Sequence, residues 1–121
     1  MIAKEVLKLT PLIFAIPTVN GTVCQHFGHS TEFTLIRVEE GRIIGKQSIF
    51  PPPHEPGILP AWLGELGVTH VIACGMGRRA QELFARAGIE TVIGAGEGTP
   101  EELVARYLAG RLVLGENPCD H

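Results

Sequence analysis

No run in this chain approaches the roughly 18 apolar residues that a membrane-crossing helix requires. Leu12–Ile16 is apolar but only long enough for one buried strand. A membrane is therefore not an expected partner. The start of the chain lacks a signal-peptide layout, because Glu5 and Lys8 interrupt its apolar residues. Cysteine is scarce, with 3 widely spaced residues. An odd count at wide spacing excludes a disulfide framework and points to free thiols in a reducing cytoplasm. A basic excess is also missing. Lys and Arg total 10 against 13 Asp and Glu, for a net charge of −3. A nucleic-acid platform normally shows the opposite balance, so nucleic acid is not expected as a partner. Aromatics make up 6% of a chain that is 45% hydrophobic, which implies an aliphatic core.

Catalytic patterns are missing too. No nucleophile elbow with Ser, His and Asp partners is present. The strands expected at the centre, Leu12–Pro17 and Val68–Ala73, carry no carboxylate able to hold a pair of Mg²⁺ ions. Paired Cys-x-x-Cys or His-x-x-x-His spacings, the mark of a closed zinc module, are absent. The expectation is a protein that is not an enzyme.

At 121 residues the chain is long enough for one domain with a single core. Residues 1–10 read as a polar lead-in, 11–109 as the folded domain and 110–121 as a tail. Residues 11–17 read as a buried strand and 18–31 as a long loop, a length that is usually functional. Phe33 and Leu35 alternate with Thr34, Ile36 and Val38, so 32–38 reads as a strand. Residues 42–50 pair with it in a hairpin through Glu39–Gly41. Pro51–Gly57 is a stiff connector that excludes helix. Ile58, Leu59, Trp62, Leu63 and Leu66 repeat at helical spacing. Val68–Ala73 reads as a strand, 78–87 as a helix and Ile89–Ile93 as a strand. Thr99-Pro100-Glu101-Glu102 has the N-cap, first-turn proline and capping-box acid of a third helix. The order β-β-β-α-β-α-β-α predicts an α/β domain. Its mixed five-stranded sheet has a ribonuclease-H-like order, 3-2-1-4-5, with strand 2 antiparallel and helices on its faces.

What the chain does have is Cys24-Gln25-His26-Phe27-Gly28-His29, one thiol and two imidazoles within a glycine-bearing loop. Thiolate with imidazole suits Fe–S, Cu(I) or Zn and not Mg or Ca. In the expected sheet order this loop leaves strand 1 beside the loop leaving strand 4, at the carboxyl edge where open α/β sheets take ligands. There Gly75-Met76-Gly77-Arg78-Arg79 opens a helix. Glycines permit close approach, and a helix N-terminus with two arginines favours an anion. A sulfide-rich cluster is anionic, so soft ligands and anion donors could meet in one pocket. Cys74 reads as a small buried hydrophobe. His70 reads as structural and His54 as exposed. Cys119-Asp120-His121 ends a tail that a compact α/β fold could bring close to this loop.

The Ile13–Pro17 strand, the His26-Phe27-Gly28-His29-Ser30 loop, the following Phe33, the Cys74–Ala80 turn and the Gly88-Ile89 step together resemble the dinitrogenase iron–molybdenum cofactor biosynthesis family, of the NifX, NafY and NifB C-terminal-domain type. The resemblance spans about residues 11–109. It implies a ribonuclease-H-like fold and a non-catalytic role in binding, carrying or protecting cofactor precursors. Some relatives are similar to a small protein that holds a molybdenum–copper sulfide cluster. The expected cargo is a metal–sulfur cluster (Fe–S, Fe–Mo–S or Mo–Cu–S). Its ligands would come from Cys24, His26, His29, Cys119 and His121, its cradle from Gly75, Met76, Gly77, Arg78 and Arg79, and its partners would be cluster-donor or cluster-acceptor proteins. The rival expectations are a mononuclear Zn or Cu(I) site and a metal-free interaction module.

Overall fold

A computed structural model describes residues 11–27, 30–53, 55 and 57–118. The elements are β1 (Leu12–Val19), β2 (Thr22–Val23), β3 (Glu32–Glu39), β4 (Arg42–Ile49), α1 (Ile58–Glu65), β5 (His70–Ala73), α2 (Arg78–Arg86), β6 (Glu90–Ile93) and α3 (Pro100–Leu108). The sheet is mixed and six-stranded. Five strands run in the order β4-β3-β1-β5-β6, and β2 pairs with β1 off that path. β1–β3 and β3–β4 are antiparallel, while β1–β5 and β5–β6 are parallel.

The expected sheet had five strands, and the added one is a correction. The 18–31 segment is not loop throughout. β1 continues to Val19, turns at Asn20-Gly21 and returns as β2. Asn20 and Gly21 both have positive φ, 53° and 82°. That is the backbone of a tight two-residue hairpin, for which Asn-Gly is the strongest short-range signal.

Strand alternation divides the core. Ala15, Phe33, Val71 and Ala73 face α1 and α2, where they meet Leu63 and Phe84. Phe14, Ile16, Ile36, Val38, Ile72 and Val92 face α3 and meet Leu103 and Val104. β1 is buried on both faces, which is why its sequence is an almost unbroken apolar run. The capping box at α3 forms as expected. Thr99 Oγ1 accepts from the Glu102 amide at 3.2 Å, and Glu102 Oε1 accepts from the Thr99 amide at 2.9 Å. Among the described residues no helix is long and apolar enough to cross a membrane. The lead-in, residues 1–10, lies outside the described residues.

Residues 111–118 form no helix or strand, yet they pack on the domain. Leu112 joins the α3-side core, and Gly115 donates its amide to the Gly94 carbonyl at 2.7 Å. The close approach depends on Gly94, whose φ is +85°. A Cβ there would stand 2.3 Å from the Gly115 oxygen.

Candidate functional site at the carboxyl edge of the sheet

β1 and β5 pair only at Phe14–His70 and Ala15–Val71. Pro17 follows on β1 and has no N–H to continue a ladder. The two parallel strands part, and the loop after β2 fills the gap. The Cys24 amide donates to the Pro17 carbonyl at 2.8 Å, which ties the loop to β1. On the other side His26 forms a parallel bridge with Gly75, and the Phe27 amide donates to the Gly75 carbonyl at 2.9 Å. The loop is thus wedged between the ends of two strands by its own backbone, so none of those polar groups is left unpaired.

Phe27 anchors the wedge. It is 7% exposed and meets Phe33 and Phe84 edge-on, with ring centroids 5.6 Å away in each case. Ser30 Oγ donates to the Phe27 carbonyl at 3.0 Å, and the Thr31 amide to the Thr18 carbonyl at 3.1 Å. Cys24 is buried, and its thiol donates to the His26 carbonyl at 2.9 Å. His26 is half-buried. A bound metal would have to draw the Cys24 thiol away from that carbonyl as it loses its proton.

Across the wedge stands the turn that follows β5. Cys74 is partly exposed, Gly75 and Met76 are buried, and Gly77, Arg78 and Arg79 are exposed. Gly77 is the N-cap of α2 and contributes no side-chain cap, and no acidic residue lies in the first helical turn. The positive end of the helix dipole and two arginines therefore coincide, an unfavourable placement unless an anion answers it. Met76 is positioned differently from its neighbours. Its amide donates to Asn117 Oδ1 at 3.0 Å, and its carbonyl accepts from Asn117 Nδ2 at 2.8 Å and from Gln81 Nε2 at 2.9 Å. It holds the turn to the tail, and Gly77, Arg78 and Arg79 follow it at the exposed start of α2.

The expected residues Cys24, His26, Gly75, Met76, Gly77, Arg78 and Arg79 thus come together at one edge. His29, Cys119 and His121, with Gly28 and His54, lie outside the described residues. Among the described residues no group of three or more His, Cys, Asp and Glu is gathered closely enough to hold a metal ion. Two soft donors, an anion-favouring helix end and a buried anchor suit a ligand that is soft, negatively charged and only partly held by side chains. Sequence reasoning missed Asn117 and Gly94. The Asn117-Pro118 pair was legible as a turn, but its partner stands 41 residues away.

A family profile described as dinitrogenase iron-molybdenum cofactor matches residues 10–110. The chain belongs to that family. Membership relates it to the iron–molybdenum cofactor of dinitrogenase. Over 113 residues it is 28% identical to an uncharacterized protein of Methanocaldococcus jannaschii, covering 89% of this chain and 95% of that one. The crystal structure of the protein PH0822 is similar at a TM-score of 0.79 and 29% identity, over 85% of this chain and 94% of that one. The apo form of the orange protein from Desulfovibrio gigas shares the fold at a TM-score of 0.69 and 19% identity, over 91% and 98% of the two chains.

Proposed function

We propose that this protein is a non-catalytic carrier or scaffold for a metal–sulfur cluster, an iron–molybdenum cofactor precursor or a related Fe–S or Mo–Cu–S cluster, on a ribonuclease-H-like sheet. The observation that carries the reading is the wedge. The bridge between His26 and Gly75 brings a thiol-and-imidazole loop against an arginine-bearing helix N-terminus. Cys24, His26 and His29, with Cys119 and His121, supply soft ligands. Gly75 and Gly77 allow close approach, Met76 holds the turn, and Arg78 and Arg79 answer the cluster's negative charge. Cluster-donor and cluster-acceptor proteins are the partners that such a role requires, in the cytoplasm. Family membership supports the cofactor class.

Reconstitution with iron, sulfide and molybdate, followed by metal analysis and visible absorption, tests the reading. A coloured product that needs sulfide is expected. A colourless equimolar metal would favour a mononuclear Zn or Cu(I) site. A protein that retains no metal would be a metal-free interaction module.

A further inference from the structure

The peptide units of the glycine turn are held from two sides. From the wedge side, the Phe27 amide donates to the Gly75 carbonyl. From the other side comes residues 111–118, a strap whose Asn117 meets both the Met76 amide and the Met76 carbonyl. A trans peptide is planar, so its carbonyl and its N–H point in opposite directions. The Gly75–Met76 unit follows this rule, with its carbonyl on the loop and its N–H on Asn117. In the next unit the Met76 carbonyl is on the strap side. The Gly77 N–H is therefore directed to the wedge side, where the Cys24–Phe27 loop stands. Gly77 is exposed and is the N-cap of α2, directly before Arg78 and Arg79.

That direction has to be held. Turning the Met76–Gly77 peptide over changes only ψ of Met76 and φ of Gly77 to first order. Glycine accepts positive φ readily, and nothing lies within 4 Å of a Cβ built at Gly77. The Met76 side chain is fully buried and would stay in place during the turnover. Against it stand two donors on one carbonyl, Asn117 Nδ2 at 2.8 Å and Gln81 Nε2 at 2.9 Å. We propose that Asn117 and Gln81 are positioning residues, which lock the Met76–Gly77 peptide so that the Gly77 N–H serves an anion on the side of the Cys24–His26 loop. The strap thereby regulates the turn, because the bond of Gly115 to Gly94 fixes the chain two residues before Asn117. This deepens the proposed function by naming what sets its anion donor, and it rests on that reading for the anion.

The lock is tested on the metal-free full chain by residual dipolar couplings, which report the direction of each backbone N–H. In the unmodified protein the Gly77 coupling should fit one direction, toward the wedge. It should move to an averaged value in Asn117→Ala with Gln81→Met, and move less in either single variant, where one donor remains on the carbonyl. Adding Gly77→Ala to the double variant should restore one direction, since alanine disfavours the positive φ of the turned-over peptide. A general loosening of the turn would not be repaired in this way. A coupling unchanged in the double variant, or not restored by Gly77→Ala, overturns the inference. Anion binding is read with tetrathiomolybdate alone, through its visible absorption. The double variant should bind about tenfold more weakly than the unmodified protein, and equal measurable binding overturns the inference. Gly94→Ala, which displaces the strap from a distance, should bind more weakly than Gly96→Ala, and equal binding by these two overturns regulation by the strap. If the coupling depends on Asn117 and Gln81 but the unmodified protein retains neither tetrathiomolybdate nor a cluster, the lock stands and the carrier reading fails.

Discussion

The two ends of the sheet are held by different kinds of bond. At the amino end, side chains bond to one another and to the main chain. Thr69 Oγ1 accepts from the Ile13 amide at 3.1 Å and lies 2.8 Å from His70 Nδ1. His70 Nε2 stands 3.0 Å from Glu90 Oε2, which also accepts from the Tyr107 hydroxyl at 3.0 Å. The His70 ring stacks on Phe14 at 4.8 Å. At the carboxyl end, the bonds that join the wedge, the turn and the tail include several to the main chain. Cys24 to Pro17, Phe27 to Gly75, Gly115 to Gly94 and Asn117 to Met76 all terminate on backbone groups. An edge held by side chains uses up its chemistry in holding. The edge held through backbone carries an imidazole and two arginines beside its glycine turn. The proposed site lies at the carboxyl end, whereas the amino end carries the His70, Glu90 and Tyr107 group.

The strongest way to break the comparison is to remove the anchor of the wedge. Phe27→Ala should cost about 3–5 kcal/mol in urea unfolding, because a buried ring that touches two others leaves a cavity. A loss below about 1 kcal/mol would mean that the loop is not packed as described. Next comes the strap. Gly94→Ala should destabilise by about 1–3 kcal/mol, since left-handed backbone and a clash with the Gly115 oxygen act together. Gly96→Ala is the control, for Gly96 also has positive φ, 78°, but nothing within 4 Å of the added Cβ. Equal losses at the two glycines would leave the strap contact without weight.

Ligand loss should follow a separate line. Cys24→Ala with His26→Ala is expected to lower cluster retention at least about tenfold, or about 1.4 kcal/mol. Unchanged retention removes this loop from the site.

The amino end should instead report pH. Burial lowers the His70 pKa below its ordinary 6.5, and the attraction of Glu90 opposes this without reversing it. Over the window just below 6.5 the unfolded chain binds a proton that the native state does not. Stability from this group is complete above about 6.5 and is lost as pH falls through that value toward the lowered native one. Glu90, Thr69 and Tyr107 are the polar groups around the ring. Urea midpoints taken across the window should fall on acidification, and His70→Gln should flatten that slope. A midpoint that rises on acidification would show that Glu90 wins over burial. The smallest effect belongs to Tyr107→Phe, which removes one hydrogen bond to a largely exposed carboxylate. About 0.5–1 kcal/mol is expected, with cluster retention untouched.

Much of this was legible in the chain. Alternation in 32–38 marked the two faces of β3, the apolar run marked β1, and Thr99–Glu102 marked the start of α3, because each signal is local. The candidate edge was partly legible for a topological reason. Once strands 1 and 4 are neighbours, the loops that leave them must meet. The β2 hairpin was also local, written in Asn20-Gly21, and was lost inside a segment read as one loop.

By itself the sequence determined the elements, their order and the chemistry available at the edge, a thiol, imidazoles, glycines and a pair of arginines. Only tertiary structure decided how they are used. Pro17 ends the β1–β5 ladder and opens the gap, but what fills it depends on Phe27 finding Phe33 and Phe84. Asn117 is an ordinary turn residue until Met76 stands beside it. Gly94 is an ordinary glycine until Gly115 crosses it. Local backbone preferences are set by adjacent residues, whereas these contacts join segments far apart in the chain and exist only after the core has packed.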